Sequence, residues 1–254
     1  MLIANRINIK RYFQGELRLN IKDLSFELEL GSIASIIGQS GVGKSTIASI
    51  LSGLLKPNSG EVTFQNTIVN QPYVPISFVI QDYKNAVFPW LTVEDNIKIA
   101  NYKPIDKNGS YSYEEIIDVL DIPHEILKEH PNHLSGGQIQ RVQIARALLS
   151  GCRYIILDEP TSSLDMKFRA DLQIILISLV QKFNVGILLI THDIEDAIFL
   201  ADKVFVAKES NDKTVFLKYY KGFSHKKLNI SEAQGTTEFR NLFKEIYEYL
   251  FYET

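Results

Sequence analysis

The sequence predicts an α/β fold, a parallel sheet core with a block of helices inserted in its middle. Three observations predict it. The apolar runs "SIASIIG", "YIILDEP" and "VGILLITHD" have the length and composition of buried strands. Helical patterns follow or separate them. Between about 92 and 150, apolar residues recur only at helical spacing, the mark of an insertion between two halves of one sheet.

Taken in order, residues 1 to about 80 read mostly as strands. "KDLSFELEL" alternates, "SIASIIG" is buried on both faces, and "GEVTFQ" and "ISFVIQ" follow, with one helix expected over about 44–54. "TVEDNIKIA", "YEEIIDVL" and "GGQIQRVQIARALLS" supply the inserted helices, and "NYKPIDKNGS" (101–110) is a polar loop among them. "YIILDEP" and "VGILLITHD" then bracket a helix at about 166–183. The last segment aligns Phe239, Leu242, Phe243, Ile246, Tyr247, Leu250 and Phe251 along one helical stripe, expected to dock on the body of the chain. The reading is a single domain. Its core spans about 1–82 and 151–220, its helical insertion about 83–150, and a C-terminal extension about 221–254.

Composition narrows the partners. The 254 residues are 45% apolar and 22% charged, ordinary for a globular chain, and the net charge of −3 offers no basic field for wrapping nucleic acid. One cysteine, Cys152, allows no internal disulfide and no site of paired thiolates. "MLIANRINIKRYF" lacks an apolar stretch with a small-residue cleavage site, and no run approaches the length of a membrane span. The expectation is a cytosolic chain that works at a membrane only through a partner.

The chemistry begins at "GQSGVGKST". Gly38, Gly43, Lys44 and Ser45 satisfy G-x-x-x-x-G-K-[ST], between an apolar strand and the helix "KSTIASILSGLL". Glycines let successive N–H groups turn inward toward an anion, the helix N-terminus favours negative charge, Lys44 reaches β- and γ-phosphates, and Ser45 can ligate Mg²⁺. Asp158 and Glu159 end the strand "YIILDEP". Asp158 is suited to hold Mg²⁺, directly or through water, and Glu159 to take a proton from an attacking water. In "LSGGQ", Ser135, Gly136, Gly137 and Gln138 precede an apolar-periodic helix. A serine hydroxyl with exposed N–H groups at a helix start makes a second anion clamp.

These motifs, in this order over about the first 210 residues, resemble an ATP-binding-cassette ATPase, the nucleotide-binding subunit of an ABC transporter. The Walker A loop covers Gly38, Gln39, Ser40, Gly41, Val42, Gly43, Lys44, Ser45 and Thr46. A glutamine after a strand (Gln81), the signature Ser135–Gln138, Walker B at Asp158 and Glu159, the D-loop "SSLD" with Asp165, and a switch histidine (His192) follow. The resemblance implies a P-loop NTPase core, a mixed sheet with an N-terminal antiparallel β part, binding ATP and Mg²⁺. It also implies a head-to-tail homodimer on ATP binding, in which the signature of one chain meets the γ-phosphate held by the other. Gln81 would sense Mg²⁺ and the attacking water, His192 would contact the γ-phosphate, and Asp165 would cross the dimer interface. An aromatic ring upstream of Walker A would stack on adenine; Tyr12 is the candidate, with Phe13 the alternative. Gln39 stands where proline or arginine is frequent, and Ser163 where the D-loop often has alanine.

"QDYKNAVFPWLTVEDNI" is similar to a segment of the nitrate/sulfonate/taurine-type importer ATPases. The resemblance implies a subunit that powers import of a small solute from the cytoplasmic face of the cell membrane. It would dock on transmembrane permease subunits and work with a solute-binding protein through them. Phe88, Pro89 and Trp90 are expected at the docking rim, with burial of Trp90 in the core the competing reading. A soluble ABC ATPase acting on ribosomes or nucleic acid is the alternative, disfavoured by the single cassette and the absence of sustained heptads.

Overall fold

The computed structural model describes residues 1–73, 75–100, 111–162, 164–210, 212–223 and 229–252, without the side chains of residues 83 and 84. The loop read at 101–110 and Ser163 lie outside the described residues.

The chain opens with two long strands, β1 (Leu2–Phe13) and β2 (Glu16–Leu28), joined at Gln14 and Gly15, both with positive φ (49° and 83°). That is the geometry a tight hairpin between right-twisted strands requires. Then come β3 (Ile33–Gly38), α1 (Lys44–Leu51), β4 (Ser59–Phe64), β5 (Thr67–Ile68) and β6 (Ile76–Val79). The inserted helices are α2 (Val93–Lys98), α3 (Tyr113–Val119) and α4 (Gly136–Leu149). Next are β7 (Tyr154–Asp158), α5 (Met166–Phe183), β8 (Gly186–Thr191), α6 (Ile194–Leu200), β9 (Lys203–Glu209) and β10 (Thr214–Lys221). Helices α7 (Ile230–Gly235) and α8 (Thr237–Phe251) finish the chain.

One mixed sheet of ten strands runs β5-β4-β1-β2-β10-β9-β3-β8-β7-β6. Strands β9, β3, β8, β7 and β6 are mutually parallel, while β5, β4, β1 and β2 form the antiparallel part. Successive side chains of a strand face opposite ways. Ile36, Ile156, Leu188 and Ile190 therefore join one core with α1 and the antiparallel strands. Ile37, Ile155, Leu157 and Leu189 join the other with the inserted helices, α5, α6 and α8. Continuous apolar runs in β3, β7 and β8 are what two covered faces demand.

Two details differ from the sequence reading, and a third decides between its two readings of Trp90. Helix α1 stops at Leu51, not near 54, because Gly53 turns the chain at φ 77° with its α-carbon against the Gln71 carbonyl, where a Cβ would sit 2.2 Å away. Trp90 is 70% exposed, so it is no core residue. The α8 stripe divides: Phe239, Ile246 and Leu250 are buried against the body, while Tyr247 and Phe251 remain exposed. Among the described residues no helix is long and apolar enough to cross a membrane.

Candidate functional site

Strands β3, β8 and β7 are neighbours, and their carboxyl ends carry the chemistry side by side. Ile37 is in register with Thr191, and Ile190 with Asp158, so Gly38, His192 and Glu159 emerge along one edge. Ligands of open α/β sheets bind at such strand ends.

The loop after β3 is shaped by glycine. Gly41 and Gly43 have φ of 83° and 104°, and a Cβ on Gly43 would lie 2.8 Å from Leu19 Cδ1. Gly43 is also the N-cap of α1, so no side chain caps that helix. Its first-turn N–H groups have no acceptor within the helix. The Lys44 ammonium curls back over the loop and donates to the carbonyls of Gly38 (2.8 Å) and Gln39 (3.2 Å). Burial lowers its pKa, against the raising effect of Glu159 and then Asp158.

Glu159 is the junction of the site. It adopts φ 51°, a left-handed conformation uncommon outside glycine, and its N–H is anchored to the Ile190 carbonyl at 2.8 Å. One carboxylate oxygen lies 3.8 Å from Lys44 Nζ and the other 2.7 Å from His192 Nδ1. An ionised carboxylate only accepts, so Nδ1–H is the donor and the Nε2 edge of the ring is left for a ligand. Gln81, two residues past β6, donates from Nε2 to Ser162 Oγ at 3.4 Å, and Ser162 Oγ donates to the Glu159 carbonyl at 3.0 Å. Gln81 is thereby tied to the segment that carries Glu159.

Ser135 heads α4 through a closed capping box. Its hydroxyl accepts from the Gln138 N–H at 3.3 Å, while Gln138 Oε1 accepts from the Ser135 N–H at 2.8 Å. The hydroxyl hydrogen is not used by that box. Among the described residues no hydrogen bond or ion pair joins Ser135, Gly136, Gly137 or Gln138 to the loop 38–46, and Gly137 lies instead beside Leu164 and Phe168. Asp165 is exposed and caps α5, accepting from the N–H groups of Lys167 and Phe168 at 3.0 and 3.1 Å. Tyr12 and Phe13 are both exposed at the hairpin tip; the Arg18 guanidinium lies over Phe13, 5.9 Å from its centroid.

Two features escaped the sequence reading. Asn96 is fully buried behind Trp90: its Oδ1 accepts from the Phe88 N–H (2.8 Å) and from Arg146 (2.9 Å), and its Nδ2 donates to the Phe88 carbonyl (2.9 Å). Arg146 also covers the Phe88 ring at 5.3 Å and donates to the Ala86 carbonyl at 2.7 Å, so the last turn of α4 grips the Phe88–Trp90 segment. Beside it a groove of about 300 Å³ is lined by Phe78, Ile80, Ala86, Gln143, Arg146 and Ser150. The second feature is a buried carboxylate, Asp196, behind His192. Neither follows a local pattern that sequence spacing could have revealed.

Comparison with known proteins agrees with this fold. The family model described as ABC transporter matches residues 21–162. The chain is 34% identical over 200 residues to the aliphatic sulfonates import ATP-binding protein SsuB of Bacillus cereus, covering 78% of each. It is 35% identical over 189 residues to the bicarbonate transport ATP-binding protein CmpC of Synechocystis, covering 72% of this chain and 28% of that one. Among solved structures, the dimeric ATP-binding cassette MJ0796 in a post-hydrolysis state with ADP and Pi superposes with a TM-score of 0.72 at 28% identity, over 89% of this chain and 100% of the other. A family model spanning more than half the chain, including the phosphate loop after β3 and the strand β7 that ends in Asp158, establishes that the protein belongs to the ABC transporter family and is an ABC-type ATPase.

Proposed function

We propose that this chain is the ATP-hydrolysing subunit of an importer for a small solute of the sulfonate, nitrate or taurine kind. It works as a head-to-tail homodimer docked on permease subunits at the cytoplasmic face of the membrane. The observation that carries the proposal is the position of Glu159, one oxygen toward Lys44 and the other on His192, at the mouth of the phosphate loop.

The bare N-terminus of α1 and Lys44 bind the β- and γ-phosphates of ATP; residues 39–46 wrap them, and Tyr12 stacks on adenine. Leu19, packed against Gly43, joins the hairpin that carries Tyr12 to the loop. The donor set of Ser45, Gln81 and Asp158 is all oxygen, which fits a hard Mg²⁺ that keeps phosphate oxygens and water as further ligands. Bound there, Mg²⁺ would neutralise charge on the phosphates. When the γ-phosphate draws Lys44 off its own carbonyls, Glu159 is released to orient the attacking water and accept its proton. His192 meets the γ-phosphate through Nε2 while its Nδ1–H stays on Glu159. Ser135 of the opposing chain donates its unused hydroxyl hydrogen to the same phosphate, with Gly136, Gly137 and Gln138 presenting the helix end. Asp165 crosses beside it.

The exposed Trp90, on a rim beside a groove, supports a permease contact there, because an exposed aromatic next to a concave surface can anchor a partner. Arg146 connects that rim to the helix headed by Ser135, giving nucleotide closure a rigid path to the permease.

The test uses the Glu159→Gln variant. Hydrolysis by the purified chain should fall on the order of 10²-fold or more, and Mg-ATP should convert the variant to a dimer in size-exclusion chromatography. A strictly monomeric variant with ATP bound counts against both the base and the dimer. Co-purification with a multi-span permease supports the importer, whereas sedimentation on ribosomes points to the soluble alternative.

A further inference from the structure

His192 and Glu159 touch, yet the strand ends alone do not hold them together, since the His192 side chain is 58% exposed. The loops that carry them are fastened from behind by one carboxylate. Asp196, in α6, has no solvent exposure and accepts hydrogen bonds from three side chains: Thr161 Oγ1 at 2.7 Å, Arg169 Nε at 2.8 Å and Gln173 Nε2 at 2.5 Å. Thr161 lies two residues beyond Glu159. Arg169 and Gln173 belong to α5, the helix capped by Asp165. Helix α6 is itself capped by Asp193, the residue after His192, whose Oδ1 accepts the Asp196 N–H at 3.0 Å. Asp193 Oδ2 is also paired with Arg169 at 2.7 Å, so one guanidinium holds two carboxylates of the same turn. Burial works against the Arg169 charge, but Asp196 and then Asp193 outweigh it and raise its pKa.

Stability alone is a poor reason for this arrangement. A buried ion pair is often no more stable than apolar residues of the same volume. What it provides is direction: three segments distant in sequence are fixed to one point with little angular freedom. We propose that Asp196, held by Arg169, is a positioning residue that keeps His192 against Glu159 and ties both to the helix headed by Asp165. The proposal rests on the hydrolytic reading of the site and adds a coupling to it. Movement of Asp165 at the dimer interface reaches His192, and through that ring Glu159, by way of a single buried carboxylate. Among the described residues no hydrogen bond or ion pair joins Asp196, Thr161, Arg169 or Gln173 to the loop 38–46, so loss of the network should change turnover far more than ATP affinity.

The experiment compares wild type, Asp196→Asn, His192→Ala and the double variant with Mg-ATP, and follows the imidazole signal of His192 by NMR without turnover. In Asp196→Asn, kcat should fall by about tenfold while nucleotide affinity stays within about twofold, the split expected when positioning and not binding is lost. Asp196→Glu should recover part of the rate. On the His192→Ala background, Asp196→Asn should add no further loss, because it acts through that ring. The signal of the His192 Nδ1–H that donates to Glu159 should be observed in wild type and lost in Asp196→Asn. Independent, multiplying losses in the double variant, or an unchanged kcat and histidine signal, overturn the proposal. If Asp196→Asn does not fold, Thr161→Val removes one bond at the edge of the network and should still lower kcat at constant affinity; an unchanged rate there overturns it equally. A wild type that hydrolyses no ATP, while Asp196→Asn still shifts the histidine signal, defeats the hydrolytic reading and leaves the positioning role standing.

Discussion

Helix α1 begins after Gly43 and helix α4 after Ser135, and their N-termini are finished in opposite ways. At α1 the N-cap is Gly43, with φ 104° and no side chain, and the first turn is bare. At α4 the N-cap is Ser135, and a reciprocal box with Gln138 satisfies the N–H groups of Ser135 and Gln138 within the chain, leaving those of Gly136 and Gly137 open. A helix end carrying unpaired N–H groups and partial positive charge is stabilised by an anion. The first end is therefore built to be completed by phosphate from the nucleotide its own loop holds. The second is partly satisfied by its own cap and keeps one hydroxyl hydrogen in reserve; in the proposed dimer, the other chain brings a phosphate to it. The difference is what the proposed dimer requires: one clamp that its own chain's nucleotide completes, and one that waits for the other chain's.

The largest expected effect breaks the first end. Lys44→Ala removes the cation that bridges the loop to Glu159. Turnover should vanish, and ATP affinity should fall about tenfold or more, the scale of a lost charge-assisted hydrogen bond. Unchanged affinity and rate in the purified variant would remove the loop from the mechanism.

Ser135→Arg breaks the second end and separates the two. Hydrolysis should be destroyed, while ATP binding by the isolated chain stays unchanged. Mixed with Lys44→Ala chains, it should form heterodimers in which one composite site is intact, with equilibrium binding of one ATP per dimer. If Ser135→Arg abolishes ATP binding by the monomer, the clamp acts within its own chain and the contrast between the helix ends collapses.

The smallest effect sharpens the contrast in the absence of nucleotide. Ser135→Ala removes a side-chain cap and should cost about 1 kcal/mol, read as a lowering of the thermal midpoint by roughly 2–4 °C for a chain of this size. Ser45→Ala, in the uncapped first turn of α1, should leave the nucleotide-free midpoint unchanged and weaken only the Mg²⁺ dependence of ATP binding. Equal destabilisation by both substitutions would mean that α1 is capped after all.

Much of the fold was legible because the signals were local. The buried runs of β3, β7 and β8 and the helix Met166–Phe183 fall where periodicity put them. Strand β1 was harder to read. Its pairing with β2 is interrupted by register shifts, and Arg6 takes φ 48°, so its apolar residues do not alternate cleanly. The ten-strand order, which threads β10 and β9 between β2 and β3, has no local signature at all.

By itself the sequence determined the parts whose chemistry is written in a few adjacent residues. The glycine spacing that curls the loop at 38–46, the carboxylates ending "YIILDEP" and the serine heading "LSGGQ" are of this kind. Only the tertiary structure decided that Glu159 stands between Lys44 and His192, that Asp196 gathers Thr161, Arg169 and Gln173, and that Arg146 grips the segment around Phe88. The physical reason is range. A turn, a cap or a strand end is set by backbone preferences and neighbouring side chains, whereas an ion pair between distant segments exists only after the strand order has placed their ends together.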